Sequence, residues 1–256
     1  MKKATFDYLT PEWPAPDNVQ AAITLRSRGE SCAPYDNFNL ATHVGDDPQQ
    51  VALNRQQLIQ QLDLNCPPLW LNQIHGNEVV ASFNSGCLPD ADGCFSDRVG
   101  DCCVVLTADC LPVLLCNQKG TKVAAVHAGW RGLCGGIITN ALNQFGANDS
   151  VLAYLGPAIS PLHFEVGQEV RESFLSKAID REQEHLLEKA FTQSENDRYL
   201  ADLYALARVE LKQNGVNQIY GGDFCSYGQS EQFYSYRRDK DCGRNASLIW
   251  LKPDSQ

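Results

Sequence analysis

Apolar residues along this chain gather in two rhythms. Short, nearly unbroken runs recur at Val104-Val105-Leu106-Thr107, Val113-Leu114-Leu115-Cys116, Val123-Ala124-Ala125-Val126, Val151-Leu152-Ala153-Tyr154-Leu155 and Ser247-Leu248-Ile249-Trp250-Leu251. Apolar runs of this length without polar alternation predict strands covered on both faces. Elsewhere the spacing is helical. Asp47-Pro48 offers an N-cap and a first-turn proline to Val51, Leu58, Ile59 and Leu62, a helix that should end before Pro67. Ile137, Ile138, Ala141, Leu142 and Phe145 predict a second helix, placing His127 just before it. A third is expected from about Tyr199 to Asn214, with Leu203, Ala207 and Leu211 inward and Gly215 as its stop, and another near Gln168 to Ile179. Strands and helices mix without strict alternation, so the predicted fold class is α+β. No repeat or Pro/Ser-rich linker marks a boundary, and one domain over residues 1–256 is expected.

Composition narrows the function classes. A chain of 256 residues can bury a sizeable core, and no apolar run approaches bilayer length. Met1 to Tyr8 holds two lysines but no apolar stretch of the secretory kind, so a cytoplasmic location is expected. The 11 cysteines are odd in number and form no Cys-x-x-Cys pair, which reads as mostly small buried hydrophobes rather than a disulfide framework. A net charge of −10 disfavours nucleic acid as a partner, because phosphate-backbone binding needs a basic surface. A small anionic ligand remains compatible with it, since a few arginines can focus positive potential inside a pocket. Arg237-Arg238 is the best such pair in the sequence. Oligomeric state leaves no trace in the pattern.

Candidate chemistry concentrates between Thr107 and Gly132. Ala108-Asp109-Cys110-Leu111-Pro112 stands one apolar stretch ahead of His127-Ala128-Gly129-Trp130-Arg131-Gly132, and Gln73-Ile74-His75-Gly76 follows another apolar run. His75, Cys110 and His127 would be two imidazoles and a thiolate, a set suited to zinc. Three protein ligands fit a catalytic ion, whereas a structural ion normally takes four, which here would draw on Cys94, Cys102 or Cys103. Taken singly, each of the three reads more simply as a packed core residue. Asp109 would point away from Cys110 in a regular strand, and Pro112 suggests a break that lets both face one site.

The strings around His75, Cys110 and His127, in this order, resemble the signature of the bacterial YfiH family, also called the multicopper polyphenol oxidase or laccase-like family. The resemblance extends to Asn39-Leu40-Ala41-Thr42-His43-Val44-Gly45-Asp46-Asp47, Leu155-Gly156-Pro157-Ala158-Ile159, Phe164-Glu165-Val166-Gly167, Phe233-Tyr234-Ser235-Tyr236-Arg237-Arg238-Asp239 and Gly243-Arg244. Two departures are visible: His163 stands where many relatives carry cysteine, and Gly29-Glu30-Ser31 replaces a glycine pair.

The resemblance implies a layered α/β/β/α arrangement of mixed sheets, the YfiH-like fold. It also implies phosphorolysis of purine nucleosides (adenosine, inosine, methylthioadenosine) with adenosine deamination. Zinc on His75, Cys110 and His127 would serve the deamination by activating water. Phosphorolysis needs a cationic clamp, for which Arg237 or Arg238 is the candidate, with Asn39, His43 or Asp109 contacting ribose or base. Arg26, which aligns with a family arginine, is a further substrate-contact candidate. Asp109 could also act as general base or orient the ligands.

Three other readings stand beside this one. The family's older name implies a copper polyphenol oxidase, but a multicopper site needs many histidines and the chain has 5, without a His-x-His pair. Copper would then have to replace zinc in the three-ligand site. Cys110 activated by His127 would instead make a cysteine hydrolase, in one version an amide hydrolase editing peptidoglycan precursors. A four-ligand structural metal site in a binding protein is the last.

Overall fold

The structure is a computed structural model and describes residues 6–82 and 88–253; Met1 to Thr5, part of the segment read for a signal, lie outside it. Four layers are stacked. A four-stranded sheet and a six-stranded sheet pack face to face, with one helix on the outer side of the first and five on the outer side of the second.

The four-stranded sheet is antiparallel, in the order β1 (Tyr8–Leu9), β2 (Val19–Thr24), β13 (Asn245–Leu251), β5 (Cys102–Thr107). The six-stranded sheet is mixed. Its order is β12 (Gln218–Gly221), β8 (Val151–Leu155), β6 (Leu111–Asn117), β7 (Val123–Ala128), β4 (Gly93–Ser96), β3 (Val79–Ala81), parallel at both edges and antiparallel within.

The predicted runs are strands whose two faces feed different cores, as period-two side-chain alternation requires. Along β5, Cys103 and Val105 enter the layer between the sheets while Cys102, Val104 and Leu106 enter the outer layer. Along β6, Leu114 and Cys116 face inward and Val113 and Leu115 face the helices. Both faces are dry, which is why these runs lack polar alternation.

On the four-stranded side lies α1 (Pro48–Gln61), capped by Asp47, whose side chain accepts from the Gln49 N–H; Leu58 buries against Phe38, Leu40 and Leu248. On the six-stranded side lie α2 (Trp130–Cys134), α3 (Ile137–Leu142), α4 (Gln168–Leu175), α5 (Arg181–Lys189) and α6 (Leu203–Gln213). This is the expected α+β architecture in α/β/β/α layers.

Several boundaries differ from expectation. The helix placed from Tyr199 begins at Leu203, because Arg198–Ala201 is a strand, β11, in a small sheet ordered β10 (Phe191–Gln193), β11, β9 (Glu165–Gly167). Asp202 then caps α6 by accepting from Ala205 N–H, and an N-cap overrides apolar spacing that happens to continue upstream. Leu203, Ala207 and Leu211 are buried as expected. The helix near Gln168 stops at Leu175 rather than Ile179, which is 80% exposed. His127 belongs to β7 and is followed by a short extra helix, α2, before the predicted α3. Pro112 does not break its strand: it lies inside β6, opposite His127, and the bend falls earlier, at Asp109, with φ of 90°.

Ten cysteines are described, all free; five are buried, four half-buried and Cys32 exposed. No helix among the described residues is long and apolar enough to cross a membrane.

Candidate metal centre and substrate cavity

His75, Cys110 and His127 come together at one end of the six-stranded sheet. Their ligand atoms all lie within 4.8 Å of one another, and among the described residues they are the one group of three or more His, Cys, Asp or Glu donors so placed. The fold brings them from three directions. β6 and β7 pair antiparallel with Pro112 opposite His127, so Cys110, two residues before Pro112, arrives beside the end of β7. His75 descends from a loop whose first residue, Gln73, pins it to β5: the Gln73 amide donates to Leu106 O and accepts from Leu106 N, each at 2.8 Å.

Two glycines let the pieces close. A Cβ on Gly129 would stand 3.1 Å from Cys110 Sγ and 3.2 Å from the His75 ring, and one on Gly132 would stand 2.5 Å from Gly76 O. The imidazole rings meet edge to face, with centroids 4.8 Å apart.

Asp92, the fully buried residue just before β4, carried no signal in the sequence. Its Oδ1 accepts from His127 Nδ1 at 2.7 Å and from His75 N–H at 3.0 Å; its Oδ2 accepts from Gly76 N–H at 2.7 Å and Ile74 N–H at 3.1 Å. Four donors around one carboxylate favour its ionised form, and although burial acts against it, its pKa is lowered, chiefly by His127. His127 therefore presents Nε2, not Nδ1, to the cavity side.

Burial opposes charge on both Cys110 and His127, yet each lowers the other's cost. The Cys110 thiol, facing His127 and His75, falls to about 6, and His127, facing Cys110 and Asp92, rises to about 9. A thiolate already stabilised and an imidazole oriented by a carboxylate fit a soft or borderline divalent ion.

These residues floor a cavity of about 470 Å³, whose walls include His43, Gln73, Leu106, Trp130, Arg131, Ile159, Phe164, Tyr236, Arg237 and Arg244. Three of these are guanidinium groups that make no ion pair among the described residues. Arg131 lies over Trp130. Arg237 donates to Glu165 O at 3.1 Å and lies over Phe164. Arg244 donates to Cys242 O and Gly243 O. His43 is held below its usual pKa by partial burial and by Arg244, Arg55 and His75.

Not every expected site residue reaches the cavity. Arg238 spends its guanidinium on Ser226 O, Tyr227 O, Phe233 O and Asp239, and is reassigned to the framework. Arg26 does the same with Asp36 O and Ser230 O. Asn39 is fully buried, donating to Ala41 O and Asp46 and accepting from the backbone N–H groups of Ala41 and Arg244; it shapes the site only by holding Arg244. Asp109 lines the cavity, but its oxygens accept from Ser226 Oγ at 2.7 Å and Arg237 N–H at 2.6 Å, which makes it an anchor for Arg237. Arg244 and Trp130 stood in quoted family strings, so a signal for them existed; nothing local in the sequence marked Asp92.

Cys94 and Cys103 lie between the sheets and Cys102 in the outer layer, so none supplies a fourth ligand. His163 stacks on Tyr227 away from the triad.

Fold and site together define a layered α+β protein with a three-donor His–Cys–His centre under an arginine-lined cavity. Residues 20–252 match the family model described as multi-copper polyphenol oxidoreductase laccase, and the chain belongs to that family, the YfiH family. It is 48% identical over 95% of its length to a protein of Escherichia coli (strain K12) named purine nucleoside phosphorylase YfiH, covering 98% of that protein. A Haemophilus influenzae protein named purine nucleoside phosphorylase is 40% identical over 95% of this chain and 99% of its own. Among solved structures, a Neisseria meningitidis protein is 47% identical with a TM-score of 0.90, over 96% of this chain and 99% of that one. YlmD of Geobacillus stearothermophilus is 27% identical with a TM-score of 0.88, over 98% and 100%.

Proposed function

We propose that this protein is a zinc-dependent purine nucleoside phosphorylase that also deaminates adenosine. One observation carries the reading: a three-donor metal set floors a cavity whose walls hold three guanidinium groups with no carboxylate partner among the described residues, in a protein of net charge −10. The relatives' names support its phosphorylase part alone.

His75, Cys110 and His127 would hold the ion. When bound, it supplies Lewis acidity and lowers the pKa of water, the chemistry that deamination at the purine C6 needs. The remaining work falls to the chain itself. Arg237 and Arg244 hold phosphate by charge-assisted hydrogen bonds, with Arg131 adding positive potential at the mouth. Phosphate oxygen then bonds to ribose C1′ as the bond from C1′ to the purine nitrogen breaks, and the base leaves with the electron pair and takes up a proton. Asp109 keeps Arg237 in place through its backbone N–H. His43, kept neutral, hydrogen-bonds ribose or base without competing for the anion. Leu106, Ile159, Phe164 and Trp130 form the apolar wall that accepts the purine and excludes water. Adenosine, inosine and methylthioadenosine all suit such a wall.

The test is chromatography of products from adenosine with and without phosphate, for the zinc-loaded protein and a Cys110→Ser variant. Adenine and ribose 1-phosphate should appear only with phosphate, inosine in either case, and both should be lost in the variant. Wild-type protein that yields neither product defeats the reading.

A second reading has its own observation. Cys110, His127 and Asp92 form a nucleophile, base and orienter chain, the arrangement of a cysteine hydrolase. A chelator separates them, because it should abolish the zinc-dependent reactions and spare a cysteine dyad. A multicopper oxidase fits less well: all 5 histidines are described, and only His43 joins the triad's cavity.

A further inference from the structure

We infer that Asp92 is the positioning residue of the metal triad, one carboxylate that sets the ring orientation of His127 and the backbone of His75 together. The inference rests on the proposed metal centre and extends it to a residue that touches no ligand atom of the ion.

The two oxygens divide the task. On one, His127 Nδ1 at 2.7 Å and His75 N–H at 3.0 Å share Oδ1, so a single atom links both imidazole-bearing elements. On the other, Ile74 and Gly76 N–H hold the turn from either side of His75. His75 has φ of 60°, a left-handed conformation that a residue with a Cβ does not favour. Three backbone N–H groups converging on one buried anion offset that cost. Without them the chain at 74–76 would relax and carry the His75 ring away from Cys110.

Chemistry points the same way. An ionised carboxylate only accepts, so Nδ1 must donate and the lone pair is left on Nε2. A hydrogen bond of this kind fixes the tautomer and raises the basicity of the ligating nitrogen. The charges also balance: a divalent cation, one thiolate and one buried carboxylate sum to zero, which lowers the cost of holding the ion in a partly dry site. Asp92→Asn cannot reproduce the arrangement, because whichever way the amide turns, its NH2 faces either His127 and His75 or Ile74 and Gly76, donor against donor.

The first measurement uses the unmodified protein. Nitrogen-15 NMR of histidine-labelled, cadmium-113-loaded protein should show His127 protonated at Nδ1 and coupled to the metal through Nε2. The second is competition against a chromophoric chelator: Asp92→Asn should bind zinc 10–100-fold more weakly, and its cobalt(II) form should lose visible-band intensity as His75 drifts. Coupling through Nδ1 in the unmodified protein overturns the inference even if the variant fails to fold. So does zinc affinity within about twofold of wild type in the folded variant. Wild-type protein that binds no metal defeats the metal centre itself, a different outcome from a wild type that binds and a variant that binds equally well.

Discussion

Glu210 offers a test of the energetic reasoning away from the cavity. It projects from α6, and its Oε1 accepts from Thr139 N–H and Thr139 Oγ1, both at 2.9 Å, so it caps α3 from outside; the N-cap of α3 is Gly136, with no side chain to do so. A carboxylate at a helix N-terminus is ordinarily favoured. Here burial outweighs the helix, and the carboxyl is pushed up from 4.5 to about 7. Between those values the folded protein keeps a proton that the unfolded chain has released. Stability from this group is therefore full below 4.5 and is lost as pH rises to 7. At about 1.4 kcal/mol per pH unit, the loss amounts to about 3–4 kcal/mol at most, and less to the extent that the separate groove lined by Glu210, Thr139, Gln213 and Asn214 admits water. Glu210→Gln keeps an oxygen for Thr139 and removes the titration. Urea unfolding of both proteins at several pH values from 5 to 8 isolates the effect, since other groups cancel in the difference. The variant should gain on the wild type by about 2 kcal/mol across that range. A flat difference, or a wild type that gains as pH rises, would show that the helix terminus wins and refute the argument.

Two further outcomes test the cavity. Arg237→Ala or Arg244→Ala should raise the phosphate KM by roughly 10–100-fold, the worth of one charge-assisted hydrogen bond, whereas Arg238→Ala should leave that KM unchanged and lower stability by about 2 kcal/mol, because it strands buried carbonyls. Gly132→Ala drives a Cβ to 2.5 Å from Gly76 O, a backbone oxygen that cannot swing aside as a side chain could. It should cost about 1–3 kcal/mol in thermal unfolding and lower the metal content of the purified protein, as read by atomic emission; full metal content with unchanged stability would show that the loop yields freely.

How much was legible before the fold was in view follows from the range over which each signal acts. The central strands were readable because each is buried on both faces, so burial is written into consecutive letters: Val151–Leu155 is strand β8 to the residue. Caps acted locally as well, at Asp47 before α1, but the cap at Asp202 was hidden by the apolar Tyr199 and Leu200, which serve β11 rather than α6. Helix α5 buries only Leu187, too little for a periodic trace.

The same division runs through the site. His75, Cys110 and His127 declared themselves by residue type and by the strings around them, because metal ligation uses a narrow choice of side chains. What those letters could not carry was which neighbouring charges remain free. Arg237 and Arg238 are adjacent and alike in sequence, yet α7 (Tyr236–Asp239) turns one over Phe164 in the cavity and the other into a ring of backbone carbonyls. Asp92 looks like any acid in a polar stretch until pairing of β4 with β7 brings it against His127, 35 residues away. Residue chemistry and local period are properties of the chain and were set by the sequence alone. Partnership between residues far apart depends on strand register and layer packing, and only the tertiary structure decided it.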